Sequence, residues 1–131
     1  MSRQAEKSME DVIKRDGRYP PAAFGFLHEG LTAAAKDVHG EQAAVSPNRH
    51  VTGQQICAAL RNLAVERYGQ LAKSVLARWN ILSTIDFGNM VYLLIEHGFM
   101  KKTQEDSIDD FRDVFDFDQA FQTHDEFDLK E

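Results

Sequence analysis

Apolar positions recur at helical spacing along most of this chain. Residues 4–15 place Ala5, Met9, Val12 and Ile13 on one thin stripe, which predicts an amphipathic helix with Ser2 as N-cap and Gly17 as stop. Pro20-Pro21 opens a second helix, because proline is tolerated in a first turn where its missing N–H is not needed. Phe24, Leu27, Leu31, Ala34, Ala35 and Val38 carry its apolar face, and Gly25 and Gly30 interrupt it at positions where a neighbouring helix can come close. Residues 39–49 have no period and contain Gly40, Ser46, Pro47 and Asn48, the signature of a loop. Thr52-Gly53-Gln54-Gln55 fits a capping box for a third helix with Ile56, Ala59, Leu60, Leu63 and Ala64 inward. Gly69 ends or bends that helix. Leu71, Val75, Leu76 and Trp79 form the next stripe, and Asn80 stops it by accepting the left-handed conformation that a helix end often needs.

The following helix organises the rest. Ser83 or Thr84 caps it, Asp86 lies in its first turn, and Gly98 closes it. It carries six consecutive apolar residues, Met90 to Ile95, and such a run wraps the whole helical circumference. Residues 84–97 should therefore be the central post of the domain, covered on most sides. Beyond Gly98 two readings compete. Ser107 begins a capped helix with Phe111, Val114 and Phe115 on one side; alternatively, the period of two in Phe111, Phe115 and Phe117 pairs with residues 99–102 as a small β-hairpin. The fold class is mostly α: a compact bundle of five or six helices around the central apolar helix 84–97, with the hairpin near 99–117 left open. Residues 1–122 read as one helical domain and 123–131 as a frayed acidic tail.

The stretch RHVTGQQICAALRNLAVERYGQLAKSVLARWNILSTIDFGNMVYLLIEHGFMKK, with the distal DDFRDVFDFDQAF, resembles an uncharacterised family of short proteins from planctomycetes and verrucomicrobia. The resemblance covers about residues 10–122 and is thickest from His50 to Lys102. Glycine is usual in that family where this chain has Asn80, and both residues accept positive φ. What it implies is a single compact domain; it supplies no activity and no catalytic residues.

Composition narrows the class. With 43% apolar and 27% charged residues in 131, the chain has the make-up of a soluble globular domain. Its lone cysteine, Cys57, excludes an intrachain disulfide and a cysteine zinc site, and its inward phase makes it a small buried hydrophobe. The polar N-terminus has no signal-like apolar region and no run is long enough to span a membrane, so a cytoplasmic location is expected. The net charge of −6 is unevenly placed. Residues 1–50 hold 7 basic and 7 acidic residues, 51–102 hold 6 and 3, and 103–131 hold 2 and 11, giving 0, +3 and −9. That acidic end is unsuited to binding phosphates.

Several motifs invite chemistry. Asp86-Phe87-Gly88 spells a kinase magnesium motif, but the Gly-rich loop, strand lysine and catalytic loop that a kinase needs are missing. Asp86 is better read as a first-turn acid and Gly88 as a small residue at a close approach. The five histidines include no pair at i, i+4, and structural roles outweigh metal binding. The C-terminal aspartates lack the spacing, glycine and terminal glutamate of an EF-hand. No cofactor or metal is expected. The helices flanking Asn80 have the lengths of a helix-turn-helix, yet the second offers a major groove no lysine or arginine.

The most distinctive stretch runs from Asp109 to Phe121, where aromatics alternate with acids. Four exposed phenylalanines would be an aggregation liability, so the rings are expected to pack inward and leave the carboxylates as an acidic face. The basic residues of 51–102 could receive part of it. The candidate interaction residues are Asp109, Asp110, Asp113, Asp116 and Asp118. The expectation is a non-enzymatic interaction or adaptor protein with an unknown protein partner. The alternative is a helix-turn-helix-like nucleic-acid binder using residues 49–78, and an enzyme would require a pocket gathering His50, Glu66 or His97.

Overall fold

The computed structural model describes residues 8–40, 51–102 and 106–121. Within them are six α-helices: α1 (Met9–Asp16), α2 (Pro21–His39), α3 (Gly53–Tyr68), α4 (Ala72–Arg78), α5 (Thr84–Glu96) and the single turn α6 (Phe117–Ala120). Two 3-10 turns, Gly69–Leu71 and Ile108–Phe111, complete the described elements. The expected mostly α bundle is what the chain forms. No strand occurs among the described residues, so the hairpin near 99–117 is absent there. The Ser2 cap, the 41–49 part of the loop and the 123–131 tail lie outside them.

Local chemistry explains the boundaries. Ser8 accepts a hydrogen bond from the Asp11 N–H at 3.1 Å as N-cap of α1, and residues 4–7 of the expected helix lie outside the described residues. Thr52 and Gln55 form the expected reciprocal capping box, at 3.1 and 2.9 Å. Two helices end in the same six-to-one motif. After α4, Ile81 N–H donates to the Leu76 carbonyl at 2.9 Å across Asn80, whose φ is 69°. After α5, Phe99 N–H donates to the Leu94 carbonyl at 2.8 Å across Gly98. Asn80 thus does what Gly98 does, and its side-chain amide also donates to the Arg18 carbonyl at 3.0 Å.

The stripe assigned to α4 is half right. Leu76 is buried, but Leu71 is 65% exposed and Ala72 takes the inward position. The 3-10 turn after Gly69 advances about 120° per residue rather than about 100°, which rotates Leu71 out of phase with the helix that follows. In α2, Phe26 lies off the predicted stripe yet is buried against Tyr68 and Trp79, with ring centroids 6.2 and 5.6 Å away. Gly30 lies where α2 crosses α3; a methyl group there would meet the fully buried side chain of Leu60, whose Cγ stands 2.8 Å from that position. Gly25 faces open space.

α5 is the post that the pattern predicts. Thr84, Phe87, Gly88, Met90, Val91, Leu93 and Leu94 are buried, and only Glu96 is exposed. α3 covers one side and the C-terminal segment another. Phe111 drives its ring into a slot floored by glycines: a Cβ on Gly88 would lie 2.8 Å from the Phe111 Cβ, and one on Gly53 would lie 3.1 Å from its ring edge. Among the described residues no helix is long and apolar enough to cross a membrane.

Candidate functional site

Two polar constellations emerge, and the chemistry of each decides its role. The first surrounds Asp86. Its Oδ1 accepts the Tyr19 hydroxyl at 2.6 Å, and its Oδ2 accepts the N–H groups of Leu82 and Ser83 at 2.8 and 3.1 Å. Asn89 donates to the Tyr19 oxygen at 3.1 Å. Both carboxylate oxygens are engaged in holding the start of α5 and the α1–α2 joint together. The kinase-like spelling is therefore a capping and tethering device. Tyr19, 67 residues away in sequence, was not anticipated, and no local pattern announces it.

Burial, reinforced by the Asp86 hydrogen bond, pushes the Tyr19 phenol up from 10.0 to about 12. The folded state thus holds this proton more tightly than the unfolded chain does. Its stabilising effect is complete below pH 10 and is lost as pH rises toward 12. Tyr19→Phe should cost about 1–2 kcal/mol at neutral pH by leaving Asp86 short of a donor. It should also flatten the loss of stability between pH 10 and 12, as followed by urea denaturation at each pH.

The second constellation is the C-terminal segment from Ser107 to Phe121. Ser107 and Asp110 cap its 3-10 turn: the serine oxygen accepts the Asp109 N–H at 3.1 Å, and the Asp110 carboxylate accepts the Ser107 N–H at 3.3 Å. Val114 N–H donates to the hydroxyl of Thr84 at 3.1 Å, which satisfies the one fully buried polar side chain of α5. Phe117 and Phe121 meet edge-on at 5.2 Å, Phe115 stacks on Phe117 at 5.7 Å, and Phe117 reaches Phe87 at 6.0 Å. Phe111, Phe117 and Phe121 are buried and Phe115 is half-buried, so the rings pack on the protein itself.

The five expected interaction residues sort differently. Asp109, Asp113, Asp116 and Asp118 are exposed, while Asp110 is half-buried in its capping role. Asp109 pairs with Arg112 at 3.0 Å. Asp116 accepts the Asp118 N–H at 2.8 Å as N-cap of α6, and Asp118 pairs with Lys73 of α4. That last pair is the expected contact between the acidic end and the basic middle of the chain. Asp113 sits at φ 51° and its carboxylate has no hydrogen bond or ion pair to another described residue. An open cleft of about 460 Å³ is lined by Leu82, Ser83 and Lys73 together with the 113–118 stretch, in which Asp113, Phe115 and Asp116 take part.

The other candidates offer less. Cys57 is fully buried, and burial raises its thiol to about 12, so it is an inert core residue. No group of three or more His, Cys, Asp or Glu residues able to hold a metal ion exists among the described residues. α5, the second helix of the helix-turn-helix-like pair, is buried along most of its length and cannot enter a DNA groove. Of the basic residues nearby, Arg67 pairs with Glu29 and Lys73 with Asp118. Glu66 and His97 are exposed, and His50 lies outside the described residues. Comparison with protein-family models, with curated proteins and with solved structures finds no match.

Proposed function

We propose that this protein is a non-enzymatic interaction module whose working surface is the acidic face of residues 109–118. The observation that carries this reading is the division of labour within that segment. Its aromatic rings are used in sealing the core, while Asp109, Asp113, Asp116 and Asp118 remain at the surface. Carboxylates arrayed on a firmly docked segment create a negative field that steers basic partners and repels nucleic acid. The partner is accordingly a protein with a basic surface, met in the cytoplasm.

The test replaces Asp109, Asp110, Asp113 and Asp116 together with asparagine and compares captured proteins with those of the wild type. Asparagine keeps an acceptor at both capping positions and tolerates the backbone at Asp113, so the fold should survive. Partners retained at low salt by the wild type should be lost by the variant. An unchanged set of partners would remove the acidic face from consideration.

A further inference from the structure

The acidic face is not uniform, because an apolar side chain stands uncovered at one place beside it. Ile81 is fully buried, but its neighbour Leu82, which lines the cleft, leaves 63% of its surface in water. Phe115 also lines the cleft and is only half-buried. The lining also carries Asp113, Asp116 and Asp118 against Lys73, a formal balance of −2. Lys73 is already paired with Asp118, and Asp113 has no described partner.

We infer that this cleft is the docking site for a short basic segment of a partner protein, with an apolar side chain seated on its apolar lining, Leu82 and Phe115, and lysine or arginine reaching the carboxylates of Asp113 and Asp116. This inference rests on the acidic-face reading and narrows it to one place and one ligand chemistry. Charge selects the occupant. The lining repels phosphates, and the carboxylates do not gather into a group that could hold a metal ion. Spaced carboxylates and an apolar lining instead match side chains spaced along a peptide. The volume accommodates a few such side chains, at the low end for a recognition pocket.

The experiment measures the binding of labelled short peptides, a central leucine flanked by lysine and arginine, to the intact protein by fluorescence anisotropy. Wild type should bind saturably. Both Leu82→Ser and the double variant Asp113→Asn/Asp116→Asn should bind about tenfold more weakly, as should a peptide whose leucine is replaced by serine. Leu82 is exposed and asparagine fits both backbone sites, so none of these changes threatens folding, and circular dichroism verifies it. Asp37→Asn, at an exposed acid of α2 outside the acidic face, should leave binding unchanged. If Leu82→Ser binds like wild type, or spermine displaces the peptide as well as an equally charged peptide does, attraction is diffuse: the cleft is overturned while the acidic face stands. The cleft also falls if no basic peptide binds at low salt, and the capture experiment then decides for the face separately. Self-association that Leu82→Ser abolishes would assign the cleft to a second copy and overturn the partner proposed.

Discussion

Phe111→Ala should lower the stability of the folded protein by about 3–5 kcal/mol, the range for removing a large buried aromatic side chain. The expectation is specific because of what surrounds the ring. It packs against Gly88 of α5 and Gly53 of α3, neither of which has a side chain that could move into the void. The ring is only 3% exposed. Against a total stability of about 5–15 kcal/mol, such a loss leaves a marginal domain. Urea denaturation would show it as a lowered midpoint. Gly88→Ala supplies an internal check. In the wild type its methyl group would meet the Cβ and Cγ of Phe111 at 2.8 Å and the Cδ2 at 2.9 Å; Phe111→Ala removes the two ring contacts and keeps the one to Cβ. The double-mutant cycle should therefore show Gly88→Ala to be less harmful, though still costly, once the ring is gone.

Gly30→Ala and Gly25→Ala should move stability in opposite directions, although both place alanine inside α2. Each substitution gains up to about 1 kcal/mol of helix propensity. At position 25 nothing stands within 4 Å of the new methyl, so the gain is kept. At position 30 the methyl meets Leu60, which is fully buried and has nowhere to swing. Overpacking costs of about 1–3 kcal/mol then exceed the propensity gain, and the α2–α3 crossing must open. Thermal midpoints of the two variants, measured side by side, isolate the steric effect because the propensity effect is common to both. Equal shifts would show that α2 and α3 do not approach so closely.

What could be read from the chain follows the reach of the interactions. The Thr52–Gln55 box, the Asn80 stop and the Gly98 stop were legible because their partners lie within six residues. The six apolar residues of α5 revealed its burial because periodicity alone demands it. Leu71 was assigned to the wrong face because a 3-10 turn shifts phase without changing the apolar spacing. Phe26 escaped notice since it lies beside the main stripe of α2 and finds Tyr68 and Trp79 across the bundle. Gly88 was recognised as a close approach, but its partner is the Phe111 ring rather than another helix. The same limit applies to the candidate site. The acidic residues were visible as composition, yet the pairing of Lys73 with Asp118 and the cleft beside Leu82 depend on where α4 and the C-terminal segment meet.

The way Phe111 docks also bears on the newborn chain. A ribosome delivers α5 before the residues that cover it, at roughly 5–20 residues per second. For that interval the glycine-floored slot beside Phe87 is an open, greasy gutter, attractive to chaperones and to other unfinished chains. Translation that stops short of residue 111 would leave it so permanently, and quality control would meet an exposed core rather than a merely shortened protein.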